Sequence, residues 1–255
     1  MIRTLAGTTG RRRIYLMRHG HVDYLAPEVV RTRNIQDVVL TARGRLEAQA
    51  AGRALAHVSF DRAYSSGLPR ARETAELVLA QNGGPPLLET APGLVEIHGG
   101  RPRDPIASRK ELIATMAFSF GRAADAGATM LDGGEAFAGA QARAVGAVTA
   151  LLAAPGWRQI LVVAHEAINR VLLSWASGAG LSSAGAFEQD TGCINVLDFD
   201  MVPTADGSPT PEIARVLIKA VNLTPYNYVK HGMNLTSLEA IFDPDFGQEV
   251  LHSEV

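Results

Sequence analysis

Residues 14–20 read Ile-Tyr-Leu-Met-Arg-His-Gly, and the interpretation of the whole chain starts from this stretch. Its four apolar residues predict a short buried strand, and an arginine, a histidine and a glycine follow where that strand would end. In open α/β sheets, ligands bind beyond the carboxyl ends of the strands. The stretch therefore predicts a strand that carries Arg18 and His19 to a ligand site.

The rest of the sequence alternates short apolar runs with longer helical patterns, which is typical of β-α-β units around a parallel sheet. Further strands are predicted at residues 61–64, 160–164, 193–199 and 215–221. Helices are predicted at residues 41–56 (with Thr41 as N-cap), 70–81, 110–126, 133–153, 167–177 and 236–242. The predicted fold class is α/β, a three-layer αβα arrangement with a mostly parallel central sheet and a small helical insertion.

By length alone one large domain or two small ones are possible, and 47% hydrophobic residues are ample for a large core. The order of the predicted strands and helices favours a single domain over residues 1–255. We predict a flexible lead-in at residues 1–12, an insertion or cap at about 100–130 and a C-terminal extension at 225–255. The basic triplet near the N-terminus follows no apolar segment and does not resemble a secretory signal.

The charge and hydropathy of the chain exclude two classes of partner. The net charge of −2 lacks the basic excess of nucleic-acid-binding proteins, and no apolar run approaches the roughly 20 residues needed to span a bilayer. We therefore predict neither a nucleic-acid nor a membrane partner. Cys193 is the one cysteine, so no intramolecular disulfide can form, which fits a cytoplasmic protein. Its apolar neighbours predict a buried structural thiol.

Two other predicted strand ends carry polar residues toward the same edge of the sheet as His19. His165 directly follows the apolar run 160–164, and Arg70 follows the strand at 61–64 and would lie in the first turn of the next helix. Arginine side chains and the free N–H groups of a helix N-terminus both bind anions. Together with Arg18, these residues predict a compact positive pocket suited to a phosphoryl group.

On these motifs the chain resembles the histidine phosphatase superfamily, also called the phosphoglycerate-mutase-like family. The matching stretches occur in the family's order at residues 16–20, 40–44, 64–75, 94–96 and 162–165. The resemblance implies that His19 is the nucleophile and forms a phosphohistidine, and that Arg18, Arg70 and His165 hold the phosphoryl group. It also implies that Glu96 protonates the leaving oxygen and later activates water. A hydrogen bond from the second ring nitrogen of His19 to a backbone carbonyl is expected to fix its tautomer.

The sequence departs from the family pattern at two points near these motifs. An asparagine that the family carries some six residues after the first histidine is missing, and Glu166 stands where the family usually has glycine. A carboxylate there would oppose anion binding unless it is turned away or paired, for example with Arg170.

The expected activity is that of a phosphatase, a hydrolase acting on a small phosphorylated metabolite without metal or other cofactor. The histidines lack the helical spacing of metal ligands. Two alternatives stay open: a mutase that returns the phosphoryl group to another oxygen, and a non-catalytic protein that binds a phosphorylated ligand. Surface arginines that could bind a second acidic group, although solvated roles are favoured for them, are Arg31, Arg33, Arg101 and Arg103. The aromatic segment 226–231 either packs over a groove or takes part in a homodimer interface.

Overall fold

The computed structural model describes residues 5–32, 34–102, 108–204 and 211–242, which are organised around a six-stranded sheet. The strands are β1 (Gly10–Arg18), β2 (Arg62–Ser65), β3 (Leu88–Thr90), β4 (Gln159–Ala164), β5 (Ile194–Val202) and β6 (Glu212–Leu223). Their spatial order is β3-β2-β4-β1-β5-β6. The first four strands in this order pair in parallel, and β5 and β6 add two antiparallel pairs at one edge. The prediction of a mostly parallel α/β sheet is confirmed.

Helices follow most of the strands along the chain. They are α1 (Pro27–Thr32), α2 (Ala42–Leu55), α3 (Pro69–Leu79), α4 (Arg109–Ser119), α5 (Phe137–Ala153), α6 (Glu166–Ala176) and α7 (Ser237–Phe242). Thr41 caps α2 as predicted, since its side chain accepts a hydrogen bond from the Gly44 N–H. Among the described helices, none is long and apolar enough to cross a membrane.

The alternation of side chains along β1 shows why the sheet is covered on both faces. Ile14 and Leu16 pack into one apolar cluster with α5 and α6, whereas Tyr15 and Met17 pack into a second cluster with α2 and α3. Successive residues of a strand point to opposite faces, so a continuous apolar run requires a buried surface on each side. The result is the predicted three-layer arrangement, with the carboxyl ends of β1, β2 and β4 at one rim.

The structure corrects the predicted N-terminal lead-in. Strand β1 begins at Gly10 rather than at residue 14, so residues 10–12 belong to the sheet. The reason is ion pairing along the antiparallel neighbour β5: Arg11 pairs with Asp200 at 2.7 Å and Arg13 with Asp198 at 2.6 Å. Residues 1–4 lie outside the described part of the chain.

Two predicted helices are shorter in the structure than in the sequence prediction. Helix α4 ends at Ser119 and continues only as a 3₁₀ turn, Phe120–Arg122, before a loop. Helix α5 starts at Phe137, because residues 129–136 form a turn whose backbone bridges Thr129 to Ala136. Helix α1 and strand β3 are short elements that were not predicted.

The C-terminal extension folds back onto the domain over the residues that are described. The Tyr226 hydroxyl donates to the Thr191 carbonyl at 2.8 Å, and Lys230 pairs with Asp190 at 2.7 Å. Helix α7 then packs against α4. The segment 226–231 therefore lies against this chain's own loop, and residues 243–255 lie outside the described part.

Candidate active site

The first strand brings His19 to the rim in a fixed orientation. Its Nδ1 lies 2.7 Å from the carbonyl oxygen of Gly20. A carbonyl can only accept, so Nδ1 carries the proton and Nε2 keeps its lone pair. Burial, followed by the nearby charge of Arg70, lowers the pKa of His19 well below its usual value. The imidazole is therefore neutral at physiological pH, with the nucleophilic nitrogen determined by one backbone hydrogen bond.

The start of α3 places Arg70 next to that nitrogen. Its Nε donates to His19 Nε2 at 3.2 Å, which agrees with Nε2 being unprotonated. Its Nη1 donates to the Ile35 carbonyl at 3.0 Å, so the guanidinium is held between two loops. Thr74, one turn further along α3, accepts from the Gly20 N–H at 3.0 Å. Helix α3 thus positions both the arginine and the loop that carries His19.

Strand β4 delivers His165 to a buried position behind His19. The two ring centroids are 5.1 Å apart, and His165 Nε2 lies 2.7 Å from the hydroxyl oxygen of Ser66. That hydroxyl accepts from the Leu68 N–H, so its own hydrogen is available to donate to Nε2. Burial lowers the pKa of His165 well below its usual value, so the ring is neutral at physiological pH. Its Nδ1 is buried and has no hydrogen-bond partner among the described residues.

Arg18, the residue before His19, is shared between the site and a buried ion-pair network. Its Nη1 donates to the Gln189 carbonyl at 2.6 Å and lies 3.0 Å from Glu166 Oε2. The other oxygen of Glu166 accepts from Arg170 at 3.0 Å and from the Ser237 hydroxyl at 2.7 Å. The expected pairing of Glu166 with Arg170 is confirmed, and the pairing with Arg18 is an addition. Arg18 Nε is buried and has no partner in the described structure.

Glu96 reaches the site from the loop after the 3₁₀ turn Pro92–Leu94. Its carboxyl oxygens accept from the backbone N–H groups of Ile97 at 2.9 Å and of Ala167 and Ile168 at 3.3 Å each. The last two belong to the first turn of α6. Burial nevertheless raises the pKa of Glu96, and the negative charge of Glu166 adds to the rise. A carboxyl group with a raised pKa can hold a proton nearer to neutral pH than an exposed one.

These groups meet in a cavity of about 730 Å³. Of the residues predicted for the site, Arg18, His19, Arg70 and Glu96 line the cavity, and His165 contacts His19 from behind. The volume lies in the range typical of small-molecule sites. The structure therefore brings together the four residues predicted from strand ends and Glu96, which the family resemblance implied, although their roles stay predictions.

Of the four surface arginines that could bind a second acidic group, the two that the structure describes lie outside the cavity. Arg31 and Arg101 are exposed and do not line the cavity. Arg33 and Arg103 lie outside the described residues. Cys193 is fully buried as predicted, and burial raises the pKa of its thiol to about 12.

Sequence reasoning missed three residues that orient the site, namely Ser66, Gln189 and Ser237. Ser66 lies within the matching stretch 64–75. Its position directly after β2 is the signal that could have placed it at the site. Gln189 and Ser237 act from segments that are distant in sequence, and no motif marks them. Among the described residues, no group of three His, Cys, Asp or Glu side chains is placed to hold a metal ion.

Known proteins resemble this chain in sequence and in fold. Over 220 residues the chain is 28% identical to a probable 2-carboxy-D-arabinitol-1-phosphatase of Arabidopsis thaliana; the match covers 84% of this chain but only 42% of that protein. The structure of the α-ribazole phosphatase of Shigella flexneri is 23% identical, with a TM-score of 0.59 over 82% of this chain and 96% of the other.

A mycobacterial glucosyl-3-phosphoglycerate phosphatase is 22% identical, with a TM-score of 0.63 over 83% of this chain and 99% of the other. At these identities, the two structures support the fold. The family model described as histidine phosphatase superfamily (branch 1) matches residues 14–202, from the first strand through the last residue of β5. The chain belongs to the histidine phosphatase superfamily.

Proposed function

We propose that this chain is a metal-independent phosphomonoesterase that hydrolyses a small phosphorylated metabolite through a phosphohistidine on His19. The observation that carries the proposal is the His19 ring itself. Its Nδ1 proton is held by the Gly20 carbonyl, and its Nε2 lone pair lies beside the Arg70 guanidinium, where a phosphoryl group would be held.

The first half of the reaction needs a nucleophile and an acid. The Nε2 lone pair of His19 attacks phosphorus, and the bond from phosphorus to the ester oxygen breaks with its electron pair going to oxygen. Glu96 gives that oxygen a proton, a role supported by its raised pKa. The positive charge of Arg18 and Arg70 stabilises the phosphoryl oxygens during transfer.

The second half returns the enzyme to its starting state. The Glu96 carboxylate takes a proton from water, the water oxygen attacks phosphorus, and the bond to His19 Nε2 breaks with its electrons returning to nitrogen. The buried Nε of Arg18, a residue that lines the cavity, has no partner in the described structure and supports a phosphoryl site here, because a phosphoryl oxygen would accept from it.

A second candidate is a non-catalytic protein that binds a phosphorylated ligand. The contact that favours it is the 3.0 Å pair between Arg18 and Glu166, since a carboxylate occupies one edge of an arginine that the reaction would use. A mutase activity has no comparable contact in its favour. A cytoplasmic location and a homodimer stay predictions.

The test is a screen of phosphorylated metabolites with the wild type, His19→Ala and the control His57→Ala, whose histidine is exposed on the surface. We expect turnover by the wild type and the control, unchanged by a chelator, and loss of at least a thousandfold in His19→Ala. Acid-labile, base-stable labelling should disappear in the same variant. Equal turnover by His19→Ala would overturn the nucleophile, and the absence of both turnover and labelling in the wild type would support the non-catalytic alternative.

A further inference from the structure

The cavity has a largely apolar wall. Its side chains come from three segments that are far apart in the sequence: α4 with the 3₁₀ turn after it, the loop at 130–131, and α7. They are Met116, Phe120, Met130, Leu131, Leu238 and Ile241. Such a wall gains free energy by covering apolar ligand surface and gains nothing from a charged group.

The charges of the cavity also disfavour a second anionic group on the ligand. The charged residues that line its described part are Arg18, Arg70, Arg143, Glu96, Glu135 and Glu166. With Glu96 carrying the proton that it donates in the proposed mechanism, three positive and two negative groups leave a net charge of +1. A bound phosphate dianion more than cancels this charge. A second anionic group on the ligand would enter a cavity without surplus positive charge.

The remaining arginine of the lining, Arg143, is already paired. It forms an ion pair with Glu135 at 2.8 Å and donates to the backbone carbonyls of Gly93 and Val95. Its donors are thus turned toward the protein. Four of its five N–H groups are used in these contacts, so Arg143 has at most one left for a carboxylate or a second phosphate and cannot bind either through two parallel hydrogen bonds.

We infer that the substrate is the phosphate monoester of a bulky, uncharged and largely apolar alcohol, whose organic part lies against α4, the 130–131 loop and α7. This inference rests on the proposed function for the position of the phosphate. It concerns the leaving group, which the proposed mechanism does not specify. The volume of about 730 Å³ leaves room for an organic part well beyond a three-carbon chain.

The test compares three esters that differ in one feature at a time: phenyl phosphate, 1-naphthyl phosphate and 4-carboxyphenyl phosphate. For the wild type we expect kcat/KM for the naphthyl ester to exceed that for the phenyl ester by about tenfold. The carboxyl group should lower kcat/KM by about tenfold or more, because the cavity cannot neutralise it. Equal or higher kcat/KM for the carboxyphenyl ester would overturn the inference.

A charge swap tests the wall directly. Leu131→Arg, at a half-buried position outside the proposed catalytic groups, should shift the ratio of carboxyphenyl to naphthyl kcat/KM by at least tenfold toward the carboxylate. The matched control Phe118→Arg adds the same charge on α4, where the side chain is 75% exposed and does not line the cavity, and should leave the ratio unchanged. The same shift in both variants would mean that the wall does not select the substrate.

Binding of the corresponding phosphonates, measured by calorimetry on the wild type, separates the two proposals. If the phosphonates bind with affinities in the expected order but no ester is turned over, the inference about the organic part stands and the phosphatase proposal is overturned. Turnover of the esters in another order would overturn the inference alone. Absence of both phosphonate binding and ester turnover would overturn both proposals.

Discussion

Glu166, the residue after His165, gives the sharpest prediction, because its negative charge contacts Arg18, which is proposed to bind the phosphate. Glu166 is buried, with one oxygen 3.0 Å from Arg18 Nη1 and the other bonded to Arg170 and Ser237. The change is Glu166→Gln, which keeps the shape of the side chain and an oxygen that can accept from Ser237 while it removes the negative charge. We expect phosphate and vanadate to bind more tightly to this variant.

The magnitude follows from the distance across the Arg18 guanidinium. A phosphoryl oxygen on its free edge would lie about 6 Å from the Glu166 carboxylate. Two unit charges about 6 Å apart repel by roughly 3 kcal/mol at an effective dielectric constant of about 20. The glutamine amide does not attract Arg18 as the carboxylate does, so Arg18 is held less firmly. This loss offsets part of the gain in phosphate binding. A net gain of about 1–2 kcal/mol corresponds to a five- to thirtyfold lower inhibition constant.

The assay is competitive inhibition by vanadate at fixed pH and ionic strength, with thermal unfolding as a check that the variant is folded. Glu188→Gln is the matched control. Glu188 pairs with the same Arg170 at 2.9 Å but does not line the cavity. Its inhibition constant should match that of the wild type. An unchanged or higher inhibition constant in folded Glu166→Gln would refute the reasoning and would mean that Glu166 chiefly holds Arg18 in place.

Two further predictions concern the acid and the loop after β1. Glu96→Gln should lower kcat/KM for an alkyl phosphate by about 10²–10⁴-fold but kcat/KM for 4-nitrophenyl phosphate far less, since kcat/KM reports the steps up to release of the leaving group and nitrophenolate needs no proton. In the wild type, kcat/KM for the alkyl ester should fall as pH rises through the raised pKa of Glu96, because the protonated form is the acid. A pH profile of kcat/KM that is unchanged in the variant would contradict this. Gly20→Ala should destabilise the fold by about 2–3 kcal/mol in denaturant unfolding, since its Cβ would lie 2.3 Å from the Gly44 carbonyl oxygen. Gly139→Ala, whose Cβ meets nothing within 4 Å, should be neutral or stabilising, and equal losses in both would argue against the close approach.

The elements predicted correctly are those whose signal is local. The buried run at 160–164 and the capped helix after Thr41 carry their pattern within a few residues, and the structure has β4 and α2 there. Strand ends follow from the same signal, which is why His19 and His165 could be assigned to one rim. Strand β3 has only three residues, and its one pairing partner is β2, so its own sequence carries too little pattern.

The features that could not be predicted depend on contacts between distant segments. Arg11 and Arg13 look like solvated basic residues, and only the antiparallel pairing with β5 shows that they face Asp200 and Asp198. The partner of Glu166 four residues along the helix could be proposed from spacing. Arg18 could not, because the two residues are far apart in sequence and meet only where β1 and β4 run side by side.

The position of Glu166 also explains how a carboxylate can be tolerated beside an anion site. Its buried charge is compensated by two arginines, so it is paired on both oxygens rather than left isolated. The same carboxylate accepts from Ser237, the first residue of α7, and α7 supplies Leu238 and Ile241 to the cavity wall. The network that weakens the attraction of Arg18 for phosphate therefore also ties down the helix that covers the proposed leaving group. A glycine at position 166 would free Arg18, but it would also remove the hydrogen bond that anchors α7. We therefore expect any gain in phosphate affinity at this position to come with a loss of selectivity for apolar esters.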